Sequence, residues 1–428
     1  MSVAIFKRFA VVAGALLLPS PTLLMAQAGS LDPTFGTGGI VTTPGSGTGC
    51  GAVVNCAVAI QSDGKIVVAG AGTQGNGAPE VAVARYNTNG SLDSSFGSGG
   101  IVRTSAGNSG PAFGVAIQSD GKIVVGAPGN LDLLVVRYNT DGSLDTAFGT
   151  GGTAEVEAAG LVIGLVTGGI AVQPDGKILV AEGGVLIRLL ASGQLDSTFG
   201  AGGAAGLVSG AGTLALLTSG KILVSSSFAF SAGGVTRYSS NGKLDTLFGV
   251  DGQTPSLGQA AAIMPLSNGK FVDVGTLASG TPPLRGTPPQ GFVLVRYDTN
   301  GAIDTTFGTH GAVVTTFPGN GYSAAAAVAV QSNGDIVAAG ATQTTNPVLG
   351  RGPSAFALAR YTASGQLDTS FGTGGLVTTA FGMNGGDSAA VSALAIQSDG
   401  KIVAVGSDVP ATFGGPNNGF VLARYLAQ

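Results

Sequence analysis

A six-residue string, Leu or Ile followed by Asp, any two residues, Phe and Gly, begins at Leu31, Leu92, Leu144, Leu195, Leu244, Ile303 and Leu367 of the 428-residue chain. Its aspartates (Asp32, Asp93, Asp145, Asp196, Asp245, Asp304, Asp368) are separated by 61, 52, 51, 49, 59 and 64 residues, close to the period of β-propeller blades. Two further landmarks keep step. A Gln-Ser-Asp-Gly-Lys turn ends at Lys65, Lys122, Lys177, Lys221, Lys270, Asp335 and Lys401, weakened in the fourth copy and ending in Asp in the sixth. An Arg-Tyr pair begins at Arg85, Arg137, Arg237, Arg296, Arg360 and Arg424, with Arg188-Leu189 in the third copy.

Between the landmarks the pattern is that of short strands, and helical periodicity is absent. In the first unit these are Ala57 to Gln61, Lys65 to Ala69, Val81 to Tyr86 and Gly100 to Thr104. Val58-Ala59-Ile60 and Ile66-Val67-Val68 are apolar without alternation, which predicts strands buried on both faces. Asp-Gly and Asn-Gly steps supply the positive φ of tight hairpins. Four strands joined as a meander make a blade, so the expectation is an all-β, seven-bladed propeller of four-stranded antiparallel blades. The phase adds a closure: Gly39 to Thr43 reads as an orphan fourth strand, and the last unit stops after Phe420 to Tyr425 without one. The first should complete the second and remove both free edges.

Composition agrees with a turn-rich packed chain. Gly and Pro make up 94 residues, and 44% of residues are apolar, too many for disorder. Net charge is −4 and no basic patch stands out, so nucleic acid is excluded as a partner. Lys7-Arg8, the apolar run Phe9 to Leu18 and Ala26-Gln27-Ala28 read as a leader covering residues 1–28, followed by a single propeller over 29–428. A membrane anchor is the alternative, but ten apolar residues span about half of a hydrocarbon core. Export to the periplasm or outside the cell, with no membrane span in the mature chain, is the expectation.

Leu-Asp-x-x-Phe-Gly, Gln-Ser-Asp-Gly-Lys-Ile-Val and Ala-Arg-Tyr-Asn-x-x-Gly together resemble the delta-60 repeat β-propeller family of bacterial exported proteins over essentially all of residues 29–428. The resemblance implies the propeller fold and a secreted or cell-surface location. It implies no catalytic residue, because that family has no assigned general activity.

Of 19 basic residues, seven are the repeated Arg, six the repeated Lys and two lie in the leader. Each Arg is expected to bond the aspartate of a nearby string, the guanidinium fork matching a carboxylate; Arg85, Arg137, Arg188, Arg237, Arg296, Arg360, Arg424 and the seven aspartates are therefore structural candidates. Asn139 to Asp145 and Asp298 to Asp304 resemble the first half of a calcium loop, but both lack the later ligands, which favours Asx-type turn chemistry over a calcium site. The lone His310 replaces a turn glycine, and one His makes no ordinary zinc site. Cys50 and Cys56 are candidates for a disulfide, with a reactive thiol as the alternative. No catalytic residue, metal or cofactor is assigned, and no enzyme activity is expected.

What varies between units is the connection from second to third strand, long in unit one (Ala71 to Glu80), five (Thr276 to Gln290), six (Ala341 to Ser354) and seven (Ser407 to Asn418). These units are consecutive around a closed ring, so the loops form a crescent on one face. Pro283, Arg285, Pro288, Arg351, Asp408 and Phe413 are its candidate partner-binding residues. The expected function is a monomeric scaffold or interaction module for an unknown protein or surface ligand. The alternatives are a small-ligand or calcium-binding propeller using the channel mouth, or a carbohydrate-active enzyme.

Overall fold

The computed structural model describes residues 27–43, 48–50, 56–73, 77–105, 110–129, 133–157, 168–207, 212–225, 234–255, 258–277, 291–344, 352–381, 388–409 and 418–428. Seven antiparallel sheets account for every strand in them. In the first blade the strands are Ala57–Ile60, Ile66–Thr73, Pro79–Tyr86 and Ile101–Thr104, each paired with the next. The first strands touch in succession: Ala57–Ile60, Gly114–Ile117, Gly168–Val172, Leu214–Leu216, Gly258–Pro265, Asn320–Val330 and Ser388–Ile396, which returns to Ala57–Ile60. In the seventh sheet Ile40–Thr42 lies beside Asn418–Tyr425, Ile40 opposite Ala423 and Thr42 opposite Val421.

The core consists of layers between blades. Val68, Tyr86 and Phe35 pack with Val403, Val405 and Phe420 between blades one and seven, and Val67, Val83 and Phe96 with Val125, Val136 and Tyr138 between one and two. Second strands are buried on both faces, as in Ile66 to Ala69. First strands are not: Ala57–Ile60 is half-buried throughout, contrary to the expectation for Val58 to Ile60, because the innermost strand turns toward the ring axis and lacks a full second layer.

Two sheets depart from four strands. In the first, the short strand Thr48–Gly49 also pairs with Ile66–Thr73, beyond the end of Ala57–Ile60. In the fourth, the outer strand is reduced to a bridge from Thr236 to Gln253. Pro255, two residues on, cannot donate to a ladder.

The blades also differ in height. Innermost strands run 8, 11 and 9 residues in blades five, six and seven but 4, 4, 5 and 3 in blades one to four, and each long one carries a register shift. Second strands run 8 residues in blade one and 7, 9 and 8 in blades five to seven, against 6, 5 and 4 elsewhere. Much of what reads as long loop is therefore hairpin, and blades one, five, six and seven stand taller on that face.

The seventh blade contains a turn made from two distant pieces of chain. In blade two Asn139 N donates to Ser143 O and Gly142 N to Asn139 O, at 2.8 and 3.0 Å. In blade seven Leu426 N donates to Ser30 O and Gly29 N to Leu426 O, at 2.9 and 2.8 Å. Ala28 takes part as well: it is buried, and its carbonyl accepts from Gly372 N at 2.8 Å. The six other blades supply this carbonyl from Asn89, Asp141, Ser192, Asn241, Asn300 and Ser364. A chain beginning at Gly29 should be about 1–2 kcal/mol less stable than one beginning at Gln27, since Gly372 loses its acceptor. Comparing urea midpoints of the two chains tests this; equal midpoints would show that Ala28 contributes nothing.

Candidate functional site: the interblade clefts and the raised crescent

On a strand, neighbouring residues face opposite sides of the sheet, and the Arg-Tyr pair uses this to hold both neighbouring blades. Arg137 Nε donates to Asp145 Oδ2 at 2.8 Å, its guanidinium lies 4.5 Å over the Phe148 ring, and Nη1 reaches the Ala191 carbonyl of the following blade at 2.6 Å. Tyr138 points the other way, its hydroxyl 2.7 Å from Thr104 Oγ1 at the end of the preceding blade. The same forward contact runs from Arg85 to Thr140, Arg188 to Ser240, Arg237 to Thr299, Arg296 to Ala363, Arg360 to Ala427 and Arg424 to Thr88. The last of these crosses from blade seven to blade one.

Every repeated aspartate meets its arginine, at 2.7 to 3.0 Å, and each pair is largely buried. Every repeated Arg also stacks on the Phe of its string, at 4.2 to 4.6 Å, a cation–π contact that the sequence did not announce. The third copy shows the logic by exception. Leu189, in place of Tyr, stays in the layer with Phe148 and Val124, and the preceding blade ends in Val156 where blade one has Thr104. Hydroxyl donor and hydroxyl partner are lost together.

The aspartates are held ionised. Burial opposes the charge of Asp32, but hydrogen bonds from Thr34 and Lys401 and the charge of Arg424 outweigh it and leave its pKa at about 2. For Asp145 the hydrogen bond from Lys122 leads the causes that lower it. Between these clusters, polar clefts open on the face of the tight turns. One of about 370 Å³ between blades one and two is lined by Asp63, Lys65, Arg85 and Gln118; one of about 480 Å³ between seven and one by Asp63, Asp399, Lys401 and Arg424.

In the two loops that resemble part of a calcium site the carboxylates are already engaged: Asp141 Oδ1 accepts from Ser143 N and Oγ at 2.9 and 2.7 Å, and Asp298 is 2.9 Å from Lys270 of a neighbouring turn. Among the described residues no three His, Cys, Asp or Glu side chains converge as metal ligands. His310 is exposed at φ +55°, and Asp251 adopts +51°, where five other copies have Gly38, Gly99, Gly151, Gly202 and Gly374.

The crescent candidates are placed unevenly. Pro283, Arg285, Pro288, Arg351 and Phe413 lie outside the described residues. Asp408 is not a loop residue: it is buried in the strand Ile402–Val409, opposite Ala389 and Asn418. The polar run Ser407-Asp408 after Gly406 reads as the start of a loop, but a register shift there carries the hairpin onward. Two further buried acids were not evident from the sequence. Burial pushes Glu182, at the end of Ile178–Glu182, up to about 7, and Asp273, which accepts from the Tyr297 hydroxyl at 3.1 Å, also to about 7.

Cys50 and Cys56 form a disulfide across a sequence separation of 6. It packs with Phe35 and Phe420 where blades seven and one meet, and Gly70 is required beneath it, since a Cβ there would lie 2.8 Å from Cys56 Sγ. Chain-entropy arguments for so short a loop give about 2 kcal/mol. Cys50→Ala with Cys56→Ala, or reduction of the parent, should lower stability by that amount; identical melting with and without reductant would contradict it.

The sequence matches the family described as a domain of unknown function (DUF5122) beta-propeller at residues 61–96, 118–148, 173–199, 218–248, 287–307, 331–371 and 397–428, half of the chain in seven segments. The chain belongs to this family. Among solved structures, a catalytically inactive virginiamycin B lyase from Staphylococcus aureus with quinupristin superposes at a TM-score of 0.53 with 12% identity, covering 90% of this chain and 98% of that one. The selenomethionine form of the same lyase gives 0.50 and 11%, covering 90% and 99%. A lectin, BP39L, from Burkholderia pseudomallei gives 0.46 and 14%, covering 87% and 99%. At these identities the likeness to the lyase is one of fold alone. No curated protein sequence matches.

Proposed function

We propose that this DUF5122 propeller is an exported, non-enzymatic scaffold or interaction module of the delta-60 type, working as a monomer in the periplasm or outside the cell. Its partner is a protein or surface ligand seated on the raised face of blades five, six, seven and one. The observation that carries this reading is the asymmetry of the ring. The turn face repeats one Arg–Asp–Phe arrangement seven times, each Arg also reaching a carbonyl of the following blade, whereas the opposite face is built up over four consecutive blades. Binding commonly sits on such variable elements above a rigid scaffold. The innermost strands, which would line a catalytic channel, contain no Asp, Glu, Lys, Arg or His. The leader over residues 1–28 belongs to the same proposal.

The test trims residues 278–290, 345–351 and 410–417 to two-residue Gly-Asn turns and compares partners crosslinked in intact cells with those of the parent. Loss of the parent's partners at unchanged melting temperature supports the reading. Retention of the same partners overturns it.

A further inference from the structure

The sixth unit breaks the repeat at one charge. In the other six, the lysine ending the Gln-Ser-Asp-Gly-Lys turn directs its ammonium at Oδ2 of the unit's aspartate. The distances are 3.7 Å for Lys65–Asp93, 2.9 Å for Lys122–Asp145, 3.7 Å for Lys177–Asp196, 2.8 Å for Lys221–Asp245, 2.7 Å for Lys270–Asp304 and 3.2 Å for Lys401–Asp32. Asp335 stands there in unit six. The turn itself is unchanged, with Asp335 N donating to Asn333 Oδ1 at 3.0 Å and Asn333 Nδ2 to Asp335 Oδ2 at 2.7 Å. Asp368 keeps Arg360 Nε at 2.7 Å, but no lysine of its own unit faces it, and its side chain is 18% exposed where the other six range from 3% to 13%.

Both carboxylates line a cleft of about 550 Å³ between blades six and seven, with Gln331, Asn333 and Ser370 among its polar walls. The nearest lysine in it, Lys401, is 3.2 Å from both Asp32 and Asp399. Replacing a lysine by an aspartate changes the local charge by two units in the acidic direction. The six sister sites show that an ammonium and a guanidinium can share one carboxylate here, so Arg360 does not bar a second cation.

We infer that this cleft binds a primary alkylammonium group, which Asp368 Oδ2 accepts where the repeat elsewhere places its own lysine and to which Asp335 presents a second carboxylate. The group comes either from a free amine or from a lysine side chain of another protein. The site lies on the turn face and does not depend on the crescent.

Saturation-transfer NMR and calorimetry on the full chain, with n-butylamine and N-acetyl-Gly-Lys-Gly amide as probes, test this. One saturable site is expected, weakened at least tenfold in Asp335→Lys, which restores the repeat residue and should fold as the parent does, and in Asp335→Asn. Peptide binding tenfold tighter than butylamine identifies a protein lysine as the source; equal binding identifies a free amine. No saturable binding of either probe, several equal sites, or binding unchanged in Asp335→Lys overturns the inference.

Discussion

Arg137→Ala should lower stability by about 3 kcal/mol or more, the range for removing one partner of a buried ion pair. Three contacts end at once: the bond to Asp145, the reach to the Ala191 carbonyl and the stack on Phe148. Lys122 still neutralises Asp145 at 2.9 Å, so the loss reports mainly on fixed geometry and on the joint between blades two and three. Arg137→Lys should therefore recover little, because an ammonium cannot span a carboxylate and a carbonyl while stacking on a ring. Lys243→Ala, at an exposed turn, should stay within about 0.5 kcal/mol. Urea midpoints of the three variants decide the matter; equal small losses for Arg137→Ala and Lys243→Ala would mean that the repeated arginines are dispensable charges.

Glu182→Gln should raise stability above pH 7 by about 3 kcal/mol, since each pKa unit is worth about 1.4 kcal/mol. Burial pushes the Glu182 carboxyl from 4.5 up to about 7, and its Oε2 meets no hydrogen-bond partner among the described residues. A carboxyl that keeps its proton longer when folded does not oppose folding below its unfolded pKa. It costs stability progressively as pH rises from about 4.5 to about 7, and a constant amount beyond. Asp273, pushed up to about 7 by burial, adds a second component over nearly the same window, so Glu182→Gln should remove only part of the decline. Denaturant midpoints at pH 5 and pH 8 measure it. A gain equal at both values would exclude titration of Glu182 as the cause.

The number of blades, the strand order and the pairing of Arg with Asp were legible because each depends on residues close in sequence and repeated in step. The Phe of the string was legible only as core: that its ring lies under the guanidinium depends on how the loop folds back on the third strand. Tyr138 and Thr104, or Leu189 and Val156, meet across blades, and only the ring brings them together. Asp408 was misplaced because a buried acid in a long hairpin has the same local sequence as a loop start. The heights of blades five to seven were hidden for a related reason: their extra strand residues, such as Ala341 to Thr344, are small or polar and carry no alternating signal.

The divided turn of the seventh blade sets a timetable for synthesis. Thr42 pairs with Val421, 379 positions later, and ribosomes add roughly 5–20 residues per second. The strand Ile40–Thr42 thus waits on the order of 20–80 s for its neighbour while six blades can already assemble beside it. Its three-residue length limits what it can mispair with in the meantime, as short edges do. Seven interblade layers become a continuous circle only once Asn418–Tyr425 has emerged and met Ile40–Thr42, so the step that closes the ring is the pairing of these two strands rather than the folding of any one blade.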